Sequence, residues 1–327
     1  MILSFMFSQS RILIGLAAAL SVAVAAHASL KPKFSWDSTK YVYAFGDSYT
    51  FVGGTNGYPS FSFIGSAFNF SFTPEELLSD EIEANVTEYL TGCFEGKPSD
   101  CAPHQLWNFA FSGADVDKAL IPLHHNFSVD LWASYASDVV PHPPEETLTV
   151  FWIGINDTGD TLHNTTLDFK AFWELEMQSL FGAVVRTETP TSAAFIYADK
   201  QNAYDHYLRG TYLFITLPPL ERSPDHIGTS IAPLYKQNII DYNTALLNHT
   251  ARFAVAHRDV NILTFDAHAW FNDILDTAAD YGFTNITGFC ECTDPTFFWF
   301  NTGHPTAHVH RLLAGAIESE LRRASVF

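Results

Sequence analysis

Basic residues are scarce in this chain: 17 Lys and Arg stand against 36 Asp and Glu, a formal net charge of −19 at pH 7. A surface of that sign repels phosphate backbones and anionic lipid, so neither nucleic acid nor a charged membrane face is an expected partner. Cysteine is sparse as well. The four cysteines fall in two close pairs, Cys93 with Cys101 and Cys290 with Cys292, and no second ligand pair stands at zinc-site spacing from either. No metal site is therefore expected. Beyond residue 28 the chain has no apolar run long enough to cross a bilayer, and it has no internal repeat, low-complexity tract or linker. Stable membrane association and a multi-domain layout are both disfavoured.

What the chain has at its start is an apolar stretch, ILIGLAAALSVAVAA at 12–26, preceded by Arg11 and followed by Ala26-His27-Ala28. That pattern reads as a secretory signal peptide, residues 1–28, with cleavage expected after Ala28; a retained membrane anchor is the alternative, disfavoured because the run is short for a span. The remaining 29–327 form the expected single domain, and about 300 residues suffice for a core that removes roughly three quarters of the unfolded surface from water. Secretion implies an oxidising compartment, which favours disulfides over thiols. Cys93–Cys101 closes a short loop and is the preferred pair; it leaves Cys290–Cys292, with a cross-link between the two clusters as the rival. Secretion also gives meaning to the Asn-x-Ser/Thr triplets. Asn69, Asn85, Asn126, Asn164, Asn248 and Asn285 are expected glycan acceptors, whereas Asn156 is set apart for a different role.

Five apolar, β-rich runs punctuate the chain: 41–47, 106–111, 147–154, 211–217 and 260–266. Near-continuous apolar strands are covered on both faces, as in a parallel sheet between helices. Helical spacing of apolar residues over 168–186, 234–257 and 307–323 supplies the covering, and the alternation predicts a doubly wound α/β fold. In such sheets ligands gather beyond the carboxyl ends of the strands. Ser48 follows the first run in FGDSYT, Gly113 the second in NFAFSGAD, and Asn156 the third in FWIGIND, while His304 in NTGHPT stands just before the last helix.

Those residue types fit acyl transfer. A serine hydroxyl needs a base to become a nucleophile, and histidine has the pKa for it. The tetrahedral intermediate needs N–H donors, which the Ser48 and Gly113 backbones and the Asn156 amide could supply. Glycine lets the backbone approach a ligand closely, and asparagine donates without bringing charge.

The four blocks, in this order across essentially the whole mature chain, resemble those of the SGNH or GDSL hydrolases. The resemblance implies a flavodoxin-like three-layer α/β/α sandwich with a five-stranded parallel sheet, ester hydrolysis and no cofactor. It gives Ser48 as nucleophile, His304 as base, and Ser48, Gly113 and Asn156 as the oxyanion hole. With ITLPPLERSP after the fourth strand, the chain looks most similar to fungal acetylesterases of carbohydrate esterase family sixteen, which implies an enzyme acting on acetylated sugars and xylo-oligosaccharides; together with the leader, a secreted monomer is expected. One position departs from the family. Where it places an aspartate three residues before the histidine, this chain has Asn301. An asparagine carbonyl can orient the ring but brings no full charge to the imidazolium. Asp294, a backbone carbonyl of residue 301 or 302, or a dyad without a third member are the alternatives.

The plainer readings remain beside these. Asp47 is read as a turn or cap acceptor. His304, His308 and His310 lack the Glu of a metalloprotease helix, and Asp266 with His268 reads as a local cap, with a rival base as the second possibility. Tyr49, Phe51, Trp152 and Trp299 are candidate cleft residues. Two other functions stay open: a lipase or phospholipase with a longer acyl groove, and a catalytically weakened carbohydrate-binding protein.

Overall fold

The computed structural model describes residues 31–52, 84–94, 98–121, 125–126, 140–184 and 208–326. The expected signal peptide and Asn69 lie outside these residues, as does the side chain of Asn126. In chain order the elements are β1 (Tyr41–Gly46), α1 (Val86–Thr91), β2 (Gln105–Asn108), β3 (Ala114–Asp115), β4 (His125–Asn126), β5 (Thr147–Trp152), α2 (Ile155–Asp160), α3 (Phe169–Val184), β6 (Thr211–Ile215), α4 (Ala232–Ala256), β7 (Asn261–Phe265), α5 (Ala267–Asp276), β8 (Asn285–Phe289), β9 (Phe297–Trp299) and α6 (Ala307–Ala324).

Each of the five apolar runs forms a strand of one parallel sheet, ordered β2-β1-β5-β6-β7. Every residue of β1, β5 and β6 is buried, the outcome expected of strands without polar alternation. From β1 the chain steps one way to β2 through α1, then crosses back and steps the other way from β5 to β7 through α3 and α4. Right-handed crossovers running in opposite directions place their helices on opposite faces. The helices pair accordingly, α1 with α6 and α3 with α4. This is the flavodoxin-like order, whose switch point falls between the carboxyl ends of β1 and β5.

Aromatic rings lock the register. Phe109, Phe45, Phe151 and Phe214 stack across four neighbouring chain segments, at centroid spacings of 5.4, 5.3 and 5.3 Å. Phe181 of α3 and Phe253 of α4 close over the end of the row. Each such contact is worth about 0.5–1.5 kcal/mol beyond the area it buries, and a one-residue slip of any strand would turn its ring to the wrong face.

Both within-cluster disulfides are formed, Cys93–Cys101 and Cys290–Cys292, so the rival cross-link is not. One expected glycan position is corrected. Asn85 is 2 % exposed and caps α1: its Oδ1 accepts from Thr87 N–H at 2.9 Å, its amide donates to the Phe51 carbonyl at 2.6 Å, and Glu88 returns a carboxylate to its backbone. A glycan on that nitrogen would have to displace the cap and the packing around it. Asn164 and Asn248 are exposed, and Asn285 is half-buried with its Oδ1 in a turn.

Candidate active site

The site residues sit where the strands end. Ser48 opens a turn after β1 in which the Asp47 carbonyl accepts from Thr50 and Phe51, and the Asp47 carboxyl accepts from Tyr49 N–H at 3.1 Å. Asp47 is thus the local acceptor its plain reading suggested. Its complete burial pushes its pKa up to about 8.

From β9 the chain enters a closed loop. Phe300 N–H donates to the His304 carbonyl at 2.8 Å, and Trp299 bridges Pro305. Asn301 braces the loop from inside, its Oδ1 accepting from Gly303 N–H at 2.9 Å and His304 N–H at 2.7 Å. Two backbone donors can only meet an oxygen, so the orientation of the Asn301 amide is decided by the chain. The same oxygen lies 3.0 Å from His304 Nδ1. That ring nitrogen must therefore carry the hydrogen. The other nitrogen, Nε2, then presents a lone pair to the Ser48 hydroxyl at 2.7 Å, across 256 residues of sequence.

Asp294, the alternative acceptor, stands on an exposed turn where its Oδ1 accepts from the backbone and hydroxyl of Thr296 at 2.9 and 2.8 Å. The acceptor facing His304 Nδ1 is Asn301.

Gly113 and Asn156 are drawn together by cross-ties between the ends of β2 and β5. Asn156 donates one amide hydrogen to the Ala114 carbonyl at 2.9 Å, and Asp157 Oδ1 accepts from Val116 N–H at 2.8 Å. Gly113 has φ +73°, a conformation that a side chain would strain. Gly154, at φ +117°, turns β5 into α2; a Cβ there would run into the Tyr242 hydroxyl, which donates to the Ile153 carbonyl at 2.8 Å.

A cavity of about 260 Å³ opens over Ser48 and His304, bordered also by Asn156, Asp160, Asp225 and His226. Of the four aromatic residues expected in the cleft only Tyr49 lines this cavity. Trp152 and Trp299 are fully buried and donate their indole hydrogens to the Thr216 and Ile286 carbonyls, and Phe51 is buried too. A bulky aromatic beside a motif is as often core as cleft, and nothing in its spacing separates the two.

Tyr49 does something the sequence did not signal. Its hydroxyl donates to the Gly303 carbonyl at 2.5 Å, and its ring leans on His304 at 5.3 Å and on the edge of His310 at 6.0 Å. The neighbour of the serine thus holds the loop of the histidine. His310 lies buried beneath, and burial lowers its pKa to about 3, so it adds no positive charge below the His304 ring. Asp266 caps α5 through Ala269 N–H at 3.0 Å, as its plain reading suggested. Among the described residues no three metal-capable side chains converge.

A parallel sheet thus carries a serine, an imidazole and two amide-bearing turns at the carboxyl ends of its strands, an arrangement suited to hydrolytic chemistry. The model of the GDSL-like lipase/acylhydrolase family matches residues 42–317, and the chain belongs to that family. It is a carboxylic ester hydrolase. An acetylesterase of Thermothelomyces thermophilus is 27 % identical over 86 % of this chain and 87 % of its own. Solved structures with a similar course include a GDSL-like lipase from Parabacteroides merdae (TM-score 0.47, 14 % identity, covering 90 % of this chain and 98 % of that one). Another is a carbohydrate acetylesterase from Sinorhizobium meliloti (TM-score 0.43, 15 % identity, 87 % and 99 %).

Proposed function

We propose that this chain is a secreted esterase that removes acetyl groups from carbohydrates, with acetylated xylo-oligosaccharides as substrates. The observation that carries the reading is the hydrogen bond of 2.7 Å from Ser48 Oγ to His304 Nε2, with the ring tautomer set by Asn301. Ser48 attacks the acetyl carbonyl as its proton passes to Nε2. The oxyanion forms against the N–H groups of Ser48 and Gly113 and the second amide hydrogen of Asn156. The intermediate collapses as His304 returns the proton to the departing sugar oxygen, and water then releases acetate by the same steps in reverse. The Asn301 carbonyl keeps Nδ1–H in place throughout.

The likeness to an acetylesterase along most of both chains supports the acetyl assignment. Secretion is supported by the apolar leader, by two disulfides and by exposed triplets at Asn164 and Asn248. The test compares release of acetate from acetylated xylo-oligosaccharides with hydrolysis of 4-nitrophenyl acetate, butyrate and decanoate. The wild type should favour acetate. Ser48→Ala and His304→Ala should each lose about 10³-fold or more in kcat, and a fluorophosphonate should label Ser48. Faster turnover of decanoate would make the protein a lipase. Failure of the label, with sugar binding kept, would make it a binding protein.

A further inference from the structure

The cavity over Ser48 has polar lining residues, Asp160, Asp225 and His226, that the hydrolytic step itself does not use. We propose that they line the alcohol subsite, that it takes hydroxyl-rich or cationic alcohols and rejects anionic ones, and that Asp225 is the residue that reads them. The inference rests on the esterase reading of the preceding subsection.

The chemistry decides which side the alcohol occupies. When the tetrahedral intermediate collapses, the bond between the acyl carbon and the alcohol oxygen breaks, and that oxygen takes the proton held on His304 Nε2. The alcohol must therefore lie along the histidine loop, away from the oxyanion donors on Gly113 and Asn156. Besides Ser48, two residues of the cavity wall hydrogen-bond that loop: Tyr49, through the Gly303 carbonyl, and Asp225, whose N–H donates to the Thr302 carbonyl at 3.2 Å and which alone of the two carries a carboxylate. The segment carrying Asp225 is rigidly built. Ser223 hydrogen-bonds His226 Nδ1 at 3.1 Å, and the His226 ring packs edge-on against Tyr235 at 4.6 Å. From the α2 side, one turn beyond Asn156, Asp160 adds a second carboxylate to the same cavity.

The charge pattern is one-sided. The titratable groups lining the cavity are Tyr49, Asp160, Asp225, His226, Tyr235 and His304, and no Lys or Arg is among the lining residues. His226 does not supply the missing cation at neutral pH, because burial holds its pKa below the usual histidine range. A leaving alcohol therefore meets hydrogen-bond acceptors and negative field. Sugar hydroxyls donate to such acceptors, an ammonium group is attracted, and a carboxylate or sulfonate is repelled.

Three alcohols test this as competitive inhibitors of 4-nitrophenyl acetate hydrolysis at low ionic strength: choline, its neutral isostere 3,3-dimethylbutan-1-ol, and anionic 3-hydroxypropane-1-sulfonate. The expected order of inhibition is choline, then the neutral alcohol, then the sulfonate. Choline should lead the neutral isostere by roughly three- to tenfold, a modest factor because exposed carboxylates are screened. The ratio should shrink in high salt, fall by at least half in Asp225→Asn, and approach one in Asp160→Asn/Asp225→Asn. Asp280→Asn, an exposed charge elsewhere, should leave it unmoved, which separates a local reader from the overall net charge. Equal inhibition by choline and its isostere, no inhibition by any of the three, or a ratio that survives the double substitution would each overturn the proposal. If 4-nitrophenyl acetate is not hydrolysed at all, the esterase reading itself has failed, and the subsite falls with it.

Discussion

At the scale of single residues, the proposed mechanism turns on Asn301. Replacing the acid of a serine triad by asparagine can cost about 10⁴-fold in kcat when the ring takes the wrong tautomer. Here the Gly303 and His304 N–H groups hold the Asn301 oxygen toward the ring, so on the proposed mechanism the wrong tautomer does not form. What is missing is only the charge that would stabilise the imidazolium. Asn301→Asp should therefore raise kcat several-fold at pH 8. It should also move the acid limb of the kcat/KM profile to higher pH, since a carboxylate beside an imidazole raises its pKa and His304 must be neutral to act as base. Asn301→Ala removes the acceptor and the loop brace together and should lower kcat by about 100-fold or more. Profiles measured with 4-nitrophenyl acetate check both, and an acid limb that does not move in Asn301→Asp would mean that position 301 is not coupled to the ring. The asparagine was visible in the sequence. Its three-donor geometry was not, since nothing in NTGH tells whether Nδ1 faces residue 301 or a carboxylate such as Asp294.

At the scale of elements, the strands were legible and some of their surroundings were not. Runs such as TLTVFW have no polar alternation, and only a sheet covered on both faces satisfies them; all five are strands in one parallel sheet. Helix α5 escaped notice because it begins two residues after β7 and runs for only ten residues, too short for its periodicity to stand out. Asn85 read as a glycan triplet because a capping asparagine and a glycan acceptor share a sequence; burial alone separates them. The clamp between the turn after β1 and the loop after β9 was likewise hidden, since it joins Tyr49 to a backbone carbonyl 254 residues away. It has a testable consequence. Tyr49→Phe keeps the ring packed against His304 but frees the Gly303 carbonyl, so the loop gains room to drift from Ser48. The expected result is a fall in kcat of about five- to twentyfold with KM held within about twofold, in line with the steep cost of small misplacements. A purely structural tyrosine would instead lower the melting temperature and leave kcat of the folded enzyme alone.

At the scale of the whole molecule, the excess of acid residues is not confined to the surface. Asp47, Asp115, Asp157 and Glu176 are buried near one another behind the catalytic turns, and burial raises the pKa of each. A carboxyl whose pKa is raised on folding holds its proton more tightly in the native state. Its contribution to stability is complete below the unfolded value, 3.8 for Asp47, and is lost as pH climbs through the folded one, about 8. His310 has the opposite sign: its pKa is lowered on folding from 6.5 to about 3, so its contribution is present above 6.5 and is lost as pH falls toward 3. Glu88 and Glu221 are raised by burial in the same way, and His104, His226 and His268 are lowered like His310; between about pH 5 and 8 the raised carboxyls outweigh the histidines. The net charge of −19 pushes the same way, because each further ionisation adds to self-repulsion. The melting temperature should therefore be higher at pH 5 than at pH 8. Glu176→Gln, which keeps the shape of the side chain and removes its ionisation, should flatten the decline. Calorimetric scans across that range decide the matter: a melting temperature that rises from pH 5 to pH 8 would mean that these carboxyls are ionised and compensated in the native state, and the protein would then owe its acid character to its surface alone.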